Sequence, residues 1–311
     1  MGRYILSRVL QLLPVLWLIT LIVFMIMHVL PGDPAELMLA GAEGGAITPE
    51  RLRELHQEMG LDDPLVVQYL RFLGHAMIGD LGQSIRFRMP VTELILDRFA
   101  STLELAVFGL LVALLIGVPL GMLAALRQNT AIDTAAMGIA YVSASMPIYW
   151  LGLVSILIFS FILGWFPPAG GDGWQTLVLP AVTLGLVSSG LVARLIRSSM
   201  VEVLAEDYIR TSRAKGLPER LVLWRHGLKN ALIPVVTMVG LQFGGMLAGA
   251  VVTETVFSRP GVGRLVVSAI LAKDYPLVQG CIIFLATVYL TVNLAVDVAY
   301  AWLDPRIRYT V

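Results

Sequence analysis

The chain reads as long apolar runs set apart by polar segments. Val9 to Leu30 is apolar, interrupted mildly by Gln11, Pro14 and His28. At about 1.5 Å rise per residue it can cross a hydrocarbon core of roughly 30 Å. A secretory leader is the competing reading, but the run is too long and no small-residue cleavage site follows it. Five further runs cover about 102–126, 134–163, 176–196, 231–256 and 277–303. Together they predict six membrane-spanning helices. Pro147 lies inside the third and predicts a kink there.

The first polar stretch, Leu30 to Ala100, carries helix signals. Asp33-Pro34-Ala35-Glu36 has the capping-box pattern with Pro at the first helical position. Thr48-Pro49 predicts a second helix ended by Gly60, and Asp63-Pro64 a third reaching about Ile78. These starts predict a small folded domain outside the membrane. Its acids, Glu50, Glu54, Glu58, Asp62 and Asp63, read as a solvated helix face and a cap rather than a cation site. Ser101-Thr102-Leu103-Glu104 predicts another capping box, opening the second span. Ser258 to Pro276 reads as a polar return between the fifth and sixth spans.

The longest polar interruption of the second half is Glu202 to Pro234. It holds Arg210, Arg213, Lys215, Arg220, Arg225 and Lys229 against Glu202, Glu206, Asp207 and Glu219. No Gly or Pro occurs from Glu202 to Lys215, and Glu206 precedes Arg210 at i,i+4, the favourable order. Gly216 suits the left-handed position past a helix end, and Pro218 stops simple continuation. Leu217, Leu221, Trp224 and Leu228 then recur at helical spacing. The expectation is a short helix, a tight turn and an amphipathic helix leading back into the membrane.

Here the sequence resembles a family. Asp207-Tyr208-Ile209-Arg210-Thr211-Ser212-Arg213-Ala214-Lys215-Gly216, followed by the run from Arg225 to Pro234, is similar to the cytoplasmic coupling loop of the dipeptide, oligopeptide and nickel permeases of ABC importers. In that family a loose Glu-Ala-Ala motif precedes a Gly, and the loop docks in a groove on an ATPase subunit. This chain has Arg210-Thr211-Ser212 at the motif, with Gly216 in place. The resemblance extends to Pro31-Gly32-Asp33-Pro34, to Phe257-Ser258-Arg259-Pro260-Gly261-Val262-Gly263 and to Asp304-Pro305-Arg306-Ile307-Arg308. It implies an all-α integral membrane protein with six transmembrane helices in the type I ABC importer permease fold. Residues 1–100 would be the first helix and an extracytoplasmic helical domain. Residues 101–303 would be a five-helix core with a coupling loop at 198–230, and 304–311 a cytoplasmic tail. It implies ATPase coupling through Asp207, Tyr208, Ile209, Arg210, Thr211, Arg213, Ala214, Lys215 and Gly216, with Tyr208 and Ile209 offering apolar contact. It implies a second homologous permease, two ATPase subunits and an extracytoplasmic solute-binding protein as partners. The chain itself would hold no cofactor, ATP and Mg being bound by the partner subunits.

Composition agrees on the class. Hydrophobic residues make up 57% and charged residues 14%, with a mean hydropathy of +0.81. A soluble chain carries roughly a quarter charged residues. The zero net charge gives no footing for a nucleic-acid partner. The single cysteine, Cys281, excludes an intrachain disulfide. With the N-terminus inside, the cytoplasmic ends and loops hold Arg3, Arg8, Arg127, Arg194, Arg197, the six basic residues of the polar loop, Arg306 and Arg308. The positive-inside rule therefore puts that loop and both termini in the cytoplasm, and the resemblance implies the plasma or inner membrane of a bacterial or archaeal cell.

Enzyme chemistry finds no seat. The sequence has no GxxxxGK[ST] phosphate loop, no HExxH and no GxSxG, and its four histidines lack metal spacing. Asn293 and Asp297 share one face of the sixth span. They read as a helix–helix pair with a neighbouring Arg, or as a pathway residue. Glu104 and Glu254 read as interfacial, and Gly240, Gly244, Gly245 and Gly249 as a close-packing face. The reading is thus half of a translocation pathway for di- or oligopeptides, or for nickel or another solute of the same family. A self-sufficient secondary transporter is the competing class, and neither inverted repeats nor several mid-membrane ion-pairing residues support it.

Overall fold

A computed structural model describes residues 2–29, 35–36, 39, 49–170 and 173–303. The expectations on Pro31–Pro34, Thr48 and 304–308 lie outside these residues. The helices that can be followed begin with α1 (Gly2–Val29), α2 (Pro49–Met59), α3 (Leu65–Met77), α4 (Val91–Leu126), α5 (Ala131–Ser145) and α6 (Ile148–Ser155), which runs on as a π-helical stretch, Ile156–Ile162. Then come α7 (Gln175–Ala205), α8 (Asp207–Ala214), α9 (Glu219–Val256), α10 (Val262–Leu271) and α11 (Tyr275–Leu303). Among the described residues the only extended pairing is an isolated bridge, Gln83 to Pro90. The protein is all-α.

Among the described residues five helices are long and apolar enough to cross a membrane: α1, α4, α7, α9 and α11. The pair α5–α6 makes a sixth span if taken together, but it bends by 101°. Pro147 therefore breaks the helix rather than kinking it. Met146, the residue before the proline, is extended (φ −73°, ψ 131°), the conformation a following Pro ring enforces. The second correction concerns α4. It begins at Val91 and runs unbroken through Ser101–Glu104, so that box opens nothing. The residues ahead of the box, among them Glu93, Leu94, Leu96 and Arg98, are good helix formers and already carry the helix when it reaches Ser101.

The chain divides into two compact units. The first comprises residues up to Ala100 and Pro260–Thr291. Here α1 meets α3: the Thr20 and Tyr69 hydroxyls lie 3.0 Å apart, His28 Nε2 is 3.1 Å from Gln68 Oε1, and Phe24 packs edge-on to Tyr69. Gly60 ends α2 in the left-handed region at φ +64°. Asp63 does not cap α3, because Pro64 occupies the N-cap position and makes no side-chain cap bond. Its carboxylate instead accepts from Arg71 Nη2 at 2.6 Å. An apolar cluster built on Val91, Ile95, Val262, Leu277 and Cys281 forms this unit's core. The segment Ser258–Pro276, expected to be a polar return, contains the largely apolar helix α10, whose Val262, Leu265 and Val266 enter that core. Asp274 ties it together. It is buried, its carboxylate accepts from Ser84 Oγ at 2.5 Å and from the backbone N–H groups of Ile85 and Arg86, and it caps α11 through Leu277 N–H.

The second unit comprises Ser101–Arg259 and the chain from Val292. Helix α7 is its centre, packing against α5 and α9. Leu105, Leu184, Val192, Ile196, Met200, Ala231, Met246 and Ala250 contribute to one core. Close approach here depends on glycines of α4 and α7 more than on the α9 face expected from the sequence. A Cβ on Gly185 would lie 2.5 Å from the Gly109 carbonyl oxygen, and one on Gly190 would strike that of Ala140. On α9, Gly240 faces Val296, whereas Gly245 has open space. Exposed Leu115, Phe161 and Ile162 project from apolar helices, as lipid-facing positions do.

Candidate functional site

The polar connection after α7 is built from a break, a short helix and a turn. Helix α7 extends to Ala205, beyond the apolar run, and Glu206 then turns extended (φ −66°, ψ 146°). That break removes Glu202–Ala205 from the expected short helix, which is the eight-residue α8. The Glu206–Arg210 side-chain pair is also absent, because Glu206 is the N-cap residue and not part of a helical turn. Arg210 lies 3.6 Å from Asp207 instead, both side chains in solvent. Helix α8 ends at Lys215, and Gly216 follows at φ +76°. Glycine adopts that conformation at no steric cost, and of the other residues Asn tolerates it best. The Gly216 amide donates to Arg213 O at 2.9 Å and that of Leu217 to Ser212 O at 3.4 Å, which satisfies carbonyls at the helix end.

The expected coupling residues divide by direction. Ile209 is fully buried within the chain, so it anchors α8 and offers no surface. The reason lies in packing: α8 lies against the end of α7 and the π-helical stretch Val222–Leu228, and its one large aliphatic residue faces them. Tyr208 is half-exposed, and its hydroxyl accepts from Asn230 Nδ2 at 2.8 Å. Asp207, Arg210, Thr211, Ala214, Lys215 and Gly216 are exposed. Arg213 is engaged: its guanidinium grips Glu219 through two hydrogen bonds of 3.2 and 2.7 Å, closing the turn across Gly216. That hydrogen bonding holds the Glu219 carboxyl below its usual value and raises Arg213 above its own. The result is a knob tied across its turn, with an exposed, mainly basic face.

Two polar groups elsewhere in this unit escaped the sequence reading. Arg259 is buried and pairs through Nη2 with the Glu104 carboxylate, while its Nε and Nη1 have no hydrogen-bond partner among the described residues. Asp133 at the start of α5 takes a two-point grip from Arg197 of α7, at 2.6 and 2.7 Å. Glu254, near the end of α9, is fully buried within the chain. Asn293 and Asp297 are both partly buried, and Asn293 Oδ1 is buried with no hydrogen-bond partner among the described residues. Among the described residues no three His, Cys, Asp or Glu side chains converge to hold a metal ion.

Comparison with known proteins places this architecture. Residues 117–309 match the family described as binding-protein-dependent transport system inner membrane component, and residues 1–106 match its N-terminal companion. The glutathione transport system permease protein GsiC of Salmonella paratyphi A is 45% identical over 309 residues, covering 99% of this chain and all of that one. Its counterpart from Escherichia coli strain K12 is 44% identical over the same span. Among solved structures, an inward-facing MetNI methionine ABC transporter superposes with a TM-score of 0.60 at 17% identity, covering 68% of this chain and 96% of that one. An amino acid ABC transporter superposes at 0.51, at 17% identity, covering 69% of this chain and 94% of that one. The fold is that of type I ABC importer permeases. Matched along both its parts and over its full length, the chain belongs to the binding-protein-dependent transport system inner membrane component family and is a multi-pass membrane permease of an ABC importer.

Proposed function

We propose that the chain forms half of the translocation pathway of an importer for small peptides of the glutathione class. Full-length identity of 45% to a glutathione permease carries this reading. The pathway is completed by a second, homologous permease. An extracytoplasmic solute-binding protein delivers the cargo, and two ATPase subunits bind ATP and Mg. Helix α8 is the coupling element, with Arg210 and Lys215 facing acids on an ATPase and Gly216 setting the angle of the knob. The excess of Lys and Arg in the loops on its side supports a cytoplasmic α8 and cytoplasmic termini. Closure of the ATPases moves the two knobs together and switches the pathway between inward- and outward-facing states.

The test is uptake by the reassembled importer in vesicles. Labelled glutathione should accumulate with ATP, and unlabelled di- and tripeptides should compete. Accumulation of nickel, with none of glutathione or of any peptide, overturns the cargo assignment while leaving the coupling role standing.

A further inference from the structure

A pocket of about 360 Å³ opens between α5 and α7, lined by Asp133, Thr134, Met137, Tyr141, Arg194 and Arg197. Its volume suits a small polar ligand. Its charges do not balance. Arg197 occupies both carboxylate oxygens of Asp133, and the Asn129 amide adds a third bond to Oδ2 at 3.0 Å. No acid of the pocket is left for Arg194. Its Nε is buried with no hydrogen-bond partner among the described residues, and its guanidinium lies 5.2 Å from the centre of the Tyr141 ring. The ring's π face attracts the guanidinium but accepts no conventional hydrogen bond from its N–H donors. A cation so placed at the end of a span calls for an anion.

Depth and surroundings narrow the choice. The Asp133–Arg197 grip sits at the third residue of α5. Arg194 lies one turn along α7 from it, about 4.5 Å deeper, and Tyr141 about 12 Å along α5. The pocket thus covers the depth at which headgroups give way to acyl chains. Beside it Ile139, Tyr141 and Val142 are more than half exposed, an apolar strip ready for an acyl chain. We propose that this pocket binds the phosphodiester of an anionic lipid, with Arg194 as its principal ligand, the Tyr141 hydroxyl as a second donor and the acyl chain on the α5 strip. Anionic lipids are concentrated in the cytoplasmic leaflet of a cell membrane. The proposal does not depend on the cargo.

Native mass spectrometry of the full chain, purified with the subunits that accompany it, tests this. Phosphatidylglycerol and phosphatidylcholine are titrated in separate arms, with inorganic phosphate and glutathione as soluble competitors. One phosphatidylglycerol should bind in preference to phosphatidylcholine, and Arg194→Gln should weaken it at least about tenfold, as loss of a charged hydrogen-bonding group does. Arg194→Lys should fall between the two. Equal retention by wild type and Arg194→Gln overturns the site. Displacement by millimolar inorganic phosphate reassigns the pocket to a soluble anion, and displacement by glutathione reassigns it to cargo; either overturns the lipid assignment. If Arg194→Gln cannot be recovered, Tyr141→Leu decides: unchanged phosphatidylglycerol binding overturns the proposal, and weakened binding supports it.

Discussion

Gly216 is the residue at which sequence and backbone conformation meet most directly. Its φ is +76°, and apart from its immediate chain neighbours no atom lies within 4 Å of where a Cβ would sit. Substitution therefore acts through the backbone alone. Gly216→Val should leave the spans inserted but abolish transport and loosen the ATPase on purification, while Gly216→Asn, which tolerates the left-handed region, should retain both. Equal behaviour of the two variants would remove conformation as the cause. The Arg213–Glu219 grip beside it is pH-sensitive in a defined direction. The folded carboxyl titrates below its unfolded value, so the grip's contribution is complete above that value and is lost as pH falls through the folded one. Hydrogen-exchange protection of α8, taken relative to the intrinsic rate at each pH, should fall on acidification through that range, and Glu219→Gln should flatten the response. Because both side chains are about half exposed, the effect is small. Gly216 was legible because a Gly just ahead of a Pro, after a polar helical run, has few structural uses. Ile209 was not, since an isolated apolar residue on a polar helix fits a partner's groove as well as its own core. Arg259 was visible only inside a motif, and nothing in the local sequence announces that its partner, Glu104, lies 155 positions away.

At the scale of elements, capping patterns proved the weakest guide. Asp63-Pro64 and Ser101–Glu104 both have cap-like composition, yet the first gives its carboxylate to Arg71 and the second lies inside α4. A cap depends on where the backbone leaves the helical region, and the residues on either side decide that. Asp63→Ala should therefore act by releasing Arg71, at a cost of no more than about 1 kcal/mol for so exposed a pair. Faster proteolysis between α2 and α3, with normal assembly, is the expected result; loss of the protein from the membrane would mean the tie matters far more than its exposure allows. The break at Pro147 was legible in position and not in size. A proline removes a donor and forbids α for its predecessor, but whether the helix then bends or breaks is settled by what packs against it. The π-helical stretches, Ile156–Ile162 and Val222–Leu228, left no signal at all, because their composition is that of an ordinary apolar or amphipathic helix.

At the scale of the molecule, the membrane class and a count of five to six spans followed from hydropathy because a membrane imposes one solution on an exposed backbone. Orientation rests on a different signal, the distribution of Lys and Arg, and can be tested with single cysteines. The structure chooses the positions. Cys281 is fully buried, so it can stay in place without reacting, and replacing it would disturb the core it helps to build. Glu54 on α2 has a side chain 60% exposed and pairs with its own helix neighbour Arg51. Arg127 is exposed in the turn between α4 and α5. An impermeant maleimide applied to intact spheroplasts should label Glu54→Cys at once. Arg127→Cys should react only after the membrane is opened. The reverse pattern would put the α2 segment in the cytoplasm and α8 outside the cell, beyond the reach of any ATPase, and would sink the coupling role together with the orientation. Labelling of both in intact spheroplasts would mean that α4 does not cross the membrane, since Glu54 precedes that helix and Arg127 follows it.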